Sequence, residues 1–386
     1  MHELRTIAAA WAVLAARGEE AVLATVVKVE GSSYRCPGAR MLIAQDGRYW
    51  GTISGGCLEG NLVKKVWWYL RGGVPIVKIY DTAAEENGEL GFGLGCQGVI
   101  HVLLEHLGRD SSFAKFLTCC LASRRRGVVA TLIGVAGCAP ASVGQRLLVN
   151  QDGEVSGGLL NTHLLEALRV DADEIRAQGG SQLVTYGWCE GAIEAFVEAI
   201  EPPPVLVIFG VGHDTVPLVR LAKELGYDVT VAGYHSLTVT AARFPTADRV
   251  IALPSGSLLP AALPNEQALV VLMTHNYASD LKLLKALLPR KLAYLGVLGP
   301  RARTERMLKE LSVGSNSLHF DGPERLYAPI GLDIGAGTPQ TIALAILAEI
   351  QAVQAGRCGG MLRDRREPIH LRLDPIERKL QPESTC

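Results

Sequence analysis

The sequence lacks three features that would assign the chain to a specialised class. It has no excess of one charge, since 38 basic residues stand against 39 acidic residues. It has no apolar run close to the roughly 20 residues of a membrane-spanning helix, and its cysteines form no CxxC pair of the kind that holds zinc. The balanced charge argues against nucleic acid or an anionic membrane as a partner, and the lack of a long apolar run argues against a membrane anchor.

The nine cysteines are an odd number scattered along the chain, which favours a reducing cytoplasm. We interpret four of them as small core residues: Cys119, Cys120, Cys138 and Cys358. The apolar residues 7–16 follow Arg5 and resemble the core of a signal peptide. We expect a retained, buried helix there, because the same place in a repeat described below also carries a helical segment.

The length of 386 residues predicts more than one domain. Pro202, Pro203 and Pro204 remove three backbone donors in a row, so neither a helix nor a central strand can continue through them. We therefore predict a domain at 1–200, a proline-rich linker at 201–204 and a second domain at 205–386.

The first 200 residues contain an internal repeat, with copies at about 1–106 and 107–200. Residues 24–47 align with 130–153 at a shift of 106 positions, and the turn 54–58 aligns with 156–160. Each copy predicts a helix, two strands joined by a glycine-rich connection, a Gly-Gly turn, a second helix and one closing strand. The first domain is therefore a duplicated α/β unit.

The two copies differ where chemistry is most expected. Residues present in only one copy are not explained by the shared fold, and three of these surround the glycine-rich turns of the first copy. Cys36, Cys57 and Glu59 become Ser142, Leu159 and Asn161 in the second copy. We interpret the first copy as the active one and the second as scaffold.

The first copy places two thiols among glycines. Cys57 follows Gly55 and Gly56 at the start of a predicted helix, 58–70, where backbone donors and the helix dipole favour a thiolate that can bind a soft metal. Cys96 lies in the turn 93–98, although its counterpart Cys189 is also explained by a purely structural role. Cys57 is the stronger candidate.

The second half of the chain alternates strands and helices in the order of a doubly wound parallel sheet. We predict strands at 205–209, 228–232, 249–253, 269–274 and 292–298, a helix at 216–225 and a last helix from Pro339 to about residue 355. Thr338 is expected to cap that last helix. The fold class is therefore α/β, with a Rossmann-like second domain.

The turn after the first of these strands resembles a dinucleotide-binding fingerprint. Gly210 and Gly212 supply two of its three glycines, and Thr215 replaces the third. The next strand ends at Gly233 and Tyr234, with no acidic residue to accept ribose hydroxyls, so NAD(P) is an unlikely ligand. The sequence is compatible both with a turn that binds a phosphate-bearing ligand and with a tight turn that binds nothing.

Further loops are expected at the same edge of this sheet. His213 lies in the glycine turn, His275 follows the strand at 269–274, and Arg301 follows the strand at 292–298. Because the carboxyl ends of parallel strands meet at one edge, these side chains could together hold an anion.

Several ordered motifs resemble the XdhC/CoxI family of xanthine dehydrogenase accessory proteins, over nearly the whole chain. They are the SGGCLE turn at 54–59, the GCQG turn at 95–98, the GVGH turn at 210–213, MTHN at 273–276 and IGLDIGA at 330–336. The resemblance implies an N-terminal XdhC/CoxI domain and a Rossmann-like C-terminal domain.

The same resemblance implies a chaperone that binds molybdenum cofactor (molybdopterin), supports its sulfuration with a cysteine desulfurase and inserts it into a xanthine dehydrogenase-like molybdenum hydroxylase. It implies that Cys57 and Cys96 lie near molybdenum, with Cys57 as the metal ligand. Gly55, Gly56 and the turn at Gly210, Gly212 and His213 would lie near the pterin or its phosphate, and Glu59 is a further candidate for cofactor binding. We expect a cytoplasmic homodimer.

A different class of function stays open beside this one. A nicotinamide-dependent oxidoreductase would use the second domain for its cofactor and the first for substrate. No acid-base pair or nucleophile triad stands out in the sequence, which favours a non-catalytic carrier over an enzyme.

Overall fold

A computed structural model describes residues 2–56, 58–82, 98–159, 161–188, 191–234, 239–254, 267–313, 325–366, 369 and 373–380. The chain divides into two compact units. The first runs to Pro202 and also includes the last strand, and the second extends from Pro203 to Arg366. None of the described helices is long and apolar enough to cross a membrane.

The first unit contains both copies of the repeat, each built around its own antiparallel sheet. The first copy has α1 (His2–Arg17), β1 (Ala21–Gly31), β2 (Arg40–Ala44), β3 (Tyr49–Gly51), α2 (Glu59–Tyr69), β4 (Ile76–Asp81) and β5 (Gly98–Leu107). The second has α3 (Ser112–Ser123), β6 (Gly127–Ala136), β7 (Arg146–Val149), β8 (Val155–Gly157), α4 (Thr162–Gln178), β9 (Ser181–Trp188) and β10 (Gly191–Ile200).

The strand orders confirm the duplication. The first sheet has the order β3-β2-β1-β5-β4, and the second repeats it as β8-β7-β6-β10-β9. Both copies even carry the same bulge, since the ladder skips Val27 in β1 and its counterpart Ile133 in β6. The predicted single closing strand is wrong, because two strands follow the second helix of each copy.

The central strands of both sheets are buried on both faces. In β1, Val22 and Ala24 pack in the core that contains α2, whereas Ala21 and Leu23 face a core shared with α3 of the other copy. This follows from the alternation of side chains along a strand. The helix predicted at 7–16 is present as α1, and its residues Ile7, Trp11 and Leu14 are buried in the shared core.

Two buried ion pairs join the copies reciprocally. Arg40 of the first copy donates to Glu198 of the second, and Arg146 of the second forms a two-fold hydrogen-bonded pair with Glu105 of the first. The arginines occupy equivalent positions in the repeat, and so do the glutamates. The ring of Phe113 lies between the two guanidinium groups, 5.6 Å from the Cζ of Arg40 and 4.2 Å from that of Arg146.

The second unit is a parallel sheet with helices between its strands, as predicted. Its elements are β11 (Val205–Phe209), α5 (Thr215–Glu224), β12 (Asp228–Gly233), β13 (Arg249–Ala252), β14 (Leu269–Leu272), α6 (Tyr277–Leu287), β15 (Tyr294–Val297), α7 (Arg301–Val313), β16 (Leu326–Tyr327) and α8 (Pro339–Gln354).

The strand order β13-β12-β11-β14-β15-β16 is that of a Rossmann fold. The strands β11, β12 and β14 are buried throughout, and β11 and β14 accordingly read as continuous apolar runs. Thr338 caps α8 and Pro339 begins it, as expected. The order of strands reverses between β11 and β14, so the ligand crevice of such a fold lies there.

The last strand differs from the predicted domain division. Residues 205–386 were assigned to the second domain, whereas β17 (Ile376–Lys379) pairs in parallel with β9 of the first unit. Arg378 on this strand donates to the buried Asp171 of α4, which also accepts from the hydroxyl of Tyr186. The chain therefore returns to the first unit after completing the second.

Candidate functional site

The glycine-rich turn before α2 is organised by the carboxylate of Glu59. Its Oε1 accepts hydrogen bonds from the backbone N–H of Ile53 at 3.0 Å and of Ser54 at 2.7 Å, and its Oε2 accepts from the Ser54 hydroxyl. Ser54 Oγ in turn accepts from the N–H of Leu58 at 3.1 Å. The side chain predicted to bind a cofactor is therefore committed to holding the turn that contains Cys57.

Opposing effects act on the ionisation of this carboxyl group. Burial acts to raise the pKa of Glu59, but hydrogen bonds from the Ser54 side chain and from nearby backbone amides outweigh it, and the pKa lies below its usual value. Glu59 is only 3% exposed. A buried anion is stable here because both of its oxygens accept hydrogen bonds.

The two glycines of this turn have different roles. Gly56 adopts a φ of +109°, a conformation that favours glycine. At Gly55, a Cβ would lie 3.7 Å from the ring of Tyr34, so the turn packs against the connection between β1 and β2. Cys57 lies outside the described residues, and its role as a metal ligand stays a prediction.

The described residue that follows the segment of the second thiol lies close to the same connection. Cys96 lies in 83–97, outside the described residues. Gly98 begins β5, and a Cβ there would lie 2.2 Å from the carbonyl oxygen of Ser32. The described residues next to each thiol segment, Gly55 and Gly98, thus both contact the connection at residues 32–39.

The second copy builds the equivalent turn in an ordinary way. Asn161, the counterpart of Glu59, is the N-cap of α4 and accepts from the N–H of Leu164 at 2.9 Å. Asn is among the preferred residues at this position. The inward carboxylate is therefore a feature of the thiol-bearing copy.

In the second unit, the turn after β11 brings its glycines close to a neighbouring strand end. A Cβ on Gly210 would lie 2.3 Å from the carbonyl oxygen of Met273, directly after β14. A Cβ on Gly212 would lie 2.3 Å from Oδ1 of Asp214 and 3.5 Å from the ring of His275. The space that this glycine leaves for a pyrophosphate in dinucleotide-binding folds is thus occupied by side chains.

His275 is placed at this crevice, as predicted, but in an unexpected conformation. Its φ is +58°, which is uncommon for a residue other than glycine. Its Nε2 lies 2.7 Å from Oδ2 of Asp214, in the turn after β11. A strained residue at the crevice of an α/β sheet is typical of a functional position, and its partner Asp214 was not singled out from the sequence.

A buried network lies beside His275. Asp280 of α6 is fully buried and accepts from the hydroxyl of Thr274 at 2.7 Å and from the guanidinium of Arg303 at 2.8 Å. The motifs of the sequence did not point to Asp280 or Arg303. The available signal was an acidic residue inside an apolar helix face, which needs a partner when buried.

The remaining predicted residues do not join this network. His213 is exposed and lines a cavity of about 420 Å³ with residues of α5 and Gln340. Arg301 is exposed at the first position of α7. Tyr234 follows β12, and a Cβ on Gly233 would lie 2.7 Å from Val211 in the glycine turn. The structure therefore pairs His275 with Asp214 in the turn after β11, whereas His213 of the same turn and Arg301 have no part in this contact.

No group of three or more His, Cys, Asp or Glu side chains suited to a metal ion occurs among the described residues. Cys57 and Cys96 both lie outside those residues. The predicted metal ligand therefore stays a prediction, which the retention experiment below tests.

Comparisons with known proteins agree with the motifs. The chain is 32% identical over 336 residues to a protein of Bacillus subtilis named as a probable xanthine dehydrogenase subunit, covering 86% of this chain and 92% of that protein. It is 25% identical to "Molybdenum cofactor insertion chaperone PaoD" of Escherichia coli, covering 87% and 84% of the two chains.

A solved structure from Bacillus halodurans, described as a xanthine dehydrogenase, is similar over 91% of this chain and 96% of that one. The TM-score is 0.73 at 28% identity. Residues 14–81 and 120–187 each match the XdhC and CoxI family, one match per copy of the repeat, and residues 206–350 match the XdhC Rossmann domain. The chain belongs to the XdhC/CoxI family.

Proposed function

We propose that this chain is an accessory protein that binds molybdenum cofactor and inserts it into a xanthine dehydrogenase-like molybdenum hydroxylase. The relative from Escherichia coli whose name states that function supports this assignment. The observation on which the proposal rests is the turn at 53–59, which a buried carboxylate holds together only in the thiol-bearing copy.

In this proposal the first copy holds the metal end of the cargo. Cys57 supplies a thiolate, the ligand type that soft metals prefer. Glu59 positions the turn without contacting the cargo, because its oxygens already accept hydrogen bonds from the turn. Gly55 and Gly56 allow close approach of the cargo to the backbone.

The second unit would bind a phosphate-bearing part of the cargo or of a partner molecule. The group would face the N-terminus of α5 at the crevice between β11 and β14, outside the space over Gly212 that the Asp214 carboxylate and the His275 ring take up. The nicotinamide alternative is less well supported, because the carboxylate of Asp214 and the His275 ring occupy the space over Gly212. We also propose a cytoplasmic homodimer that receives sulfur for its cargo from a cysteine desulfurase.

The test measures retention of cargo by the purified chain. The chain is incubated without oxygen with molybdenum cofactor, desalted, and assayed for molybdenum and for the fluorescence of the oxidised pterin. We expect about one molybdenum per chain for the parent and about a tenfold or greater loss for Cys57→Ala. The interpretation of Cys119, Cys138 and Cys358 as core residues is wrong, because all three are exposed and only Cys120 of the four is buried. Cys138→Ala therefore removes an exposed thiol from the second copy and serves as the matched control, with retention unchanged.

Retention that is equal in the parent and in Cys57→Ala would remove Cys57 as a ligand. Absence of retention in the parent, with cofactor shown to be intact by a separate insertion assay, would contradict the carrier function itself.

A further inference from the structure

A cavity of about 500 Å³ opens in the first unit beside the thiol-bearing turn. Its lining includes Tyr34, Arg35, Cys36 and Arg40 from the first copy, and Ser181 and Glu198 from the second. This volume lies in the range of sites for small organic ligands. Because the ring of Tyr34 packs on Gly55, the cavity adjoins the turn that contains Cys57.

The repeat provides an internal reference for this cavity. The ladder registers of β4 with β5 and of β9 with β10 make Pro75 equivalent to Ser181, and Gly144 is the counterpart of Gly38. In the second copy, a Cβ on Gly144 would lie 2.6 Å from the ring of Pro75, so proline fills that place. Around Gly38 the smaller Ser181 leaves the equivalent space open. The shared fold therefore does not require the cavity.

The buried end of the cavity has unused hydrogen-bonding capacity. Arg40 is 2% exposed, donates through Nη1 to the carbonyl of Gly38 and through Nη2 to Oε1 of Glu198, and its Nε has no partner among the described residues. Oε2 of Glu198 lies 3.3 Å from the position that a Cβ would take on Gly38. Oε2 of Glu198 has no hydrogen-bond donor among the described residues, and a buried acceptor that is left open in this way is typical of a site that a ligand completes.

The outer end of the cavity is aromatic and polar. Tyr34 is 64% exposed, so one ring is available for stacking. Arg35 is held in place by Glu3 and by the hydroxyl of Thr52 at 2.9 Å. Burial raises the pKa of the Cys36 thiol and so favours its neutral form. The positive charge of Arg35 opposes this effect without outweighing it.

We propose that this cavity binds the 2-amino-4-oxo ring of a pterin. In this arrangement Glu198 accepts from the ring N3–H and the 2-amino group, and Tyr34 stacks on the ring. A carboxylate at the buried end matches the two adjacent donors on that edge of the ring. The inference rests on the proposed function and names the residues that hold the organic part of the cargo.

The first experiment titrates the full chain with free pterin, which contains neither molybdenum nor phosphate, and follows the quenching of pterin fluorescence. Lumazine, which carries an oxo group in place of the 2-amino group, serves as the comparison ligand. We expect lumazine to bind about tenfold or more weakly, because its oxo group would face the carboxylate of Glu198. Equal binding of both ligands would contradict the proposed orientation.

The second experiment closes the cavity with the residue that the protein itself uses at the equivalent position. Ser181→Pro should weaken pterin binding about tenfold or more, whereas Pro75→Ser, at the related position, should leave it unchanged. Tyr34→Ala alters an exposed ring and should weaken binding about fivefold without affecting folding. Circular dichroism and thermal unfolding verify that each variant folds.

The outcomes separate this inference from the proposed function. If the parent retains molybdenum cofactor but binds no free pterin, or if neither Ser181→Pro nor Tyr34→Ala changes pterin binding, the cavity is not the pterin site and the carrier function stands. If the parent binds pterin in the predicted manner but retains no molybdenum cofactor, the cavity assignment holds and the carrier function fails.

Discussion

The two copies in the first unit have the same strand order and the same bulge, and each supplies an arginine and a glutamate to the two Arg–Glu pairs between them. They differ around their glycine-rich turns. The shared features connect the copies to each other, as Arg40 with Glu198 and Arg146 with Glu105 show. The differing features are Glu59 in place of Asn161, and an open cavity at Ser181 in contrast to the filled position at Pro75. Duplication therefore distinguishes features that the shared fold explains from features found in one copy alone, and Glu198, which belongs to the shared features, also lines the proposed pterin cavity.

The largest expected effect concerns the shared part of the comparison. Removing Glu105 leaves the buried guanidinium of Arg146 unpaired, so Glu105→Ala should lower the free energy of unfolding by about 3–5 kcal/mol. Replacing both partners, as in Arg146→Leu with Glu105→Leu, should cost much less, because no buried charge is then left alone. Urea unfolding followed by circular dichroism measures both.

The pair of Arg40 with Glu198 provides a second test of the same prediction. Glu198→Ala removes the equivalent residue in the other copy and should cost a similar amount, because its side chain is as deeply buried, at 7% against 6% for Glu105. A cost below about 1 kcal/mol for both single variants would mean that the ion pairs do not hold the copies together.

An intermediate effect concerns the turn that differs between the copies. Glu59→Ala leaves the amides of Ile53 and Ser54 and a hydroxyl without their acceptor, so it should cost about 1–3 kcal/mol of unfolding free energy. Asn161→Ala removes an ordinary helix cap and should cost about 1 kcal/mol. Thermal or urea unfolding compares the two.

Function distinguishes these variants further. Because Glu59 positions the turn at Cys57, Glu59→Ala should also reduce molybdenum retention, whereas Asn161→Ala should not. Equal retention in both variants would remove Glu59 as a positioning residue and leave it with a role in stability only.

The sequence predicted much of the fold because its signals are local. The buried parallel strands are continuous apolar runs, and the repeat is visible as a constant shift between glycines such as Gly38 and Gly144. The segment at β17 escaped prediction, since its four residues are mostly charged and gain their strand partner from β9, far away in sequence. The reciprocal ion pairs also escaped, because each arginine finds its glutamate in the other copy.

The candidate sites were predicted less completely for a related reason. His275 was placed at the crevice by the end of its strand, but a positive φ at a histidine has no sequence signal, and so its contact with Asp214 was missed. Glu59 is a candidate for ligand binding from the sequence because only the first copy carries it, whereas its side chain turns back to the amides of residues 53 and 54. Direction of a side chain depends on tertiary contacts that no local pattern contains.

The smallest expected effect is the pH dependence of the same turn. The pKa of Glu59 is lowered in the folded chain below its ordinary value of 4.5. A group with a lowered folded pKa contributes stability above the unfolded pKa, and this contribution is lost as pH falls through the folded pKa. The stability difference between the parent and Glu59→Gln should therefore be largest near neutral pH and shrink as the pH falls below about 4.5.

Asn161 does not titrate, so the difference between the parent and Asn161→Ala should stay constant over the same range. Urea unfolding of the three proteins at a series of pH values measures both differences. A Glu59→Gln deficit that does not change with pH would show that the carboxyl group is equally ionised in the folded and unfolded chains. The hydrogen bonds of Glu59 would then stabilise the turn without a contribution from its negative charge. The copies would differ in the direction of the Glu59 and Asn161 side chains and not in the charge of the turn.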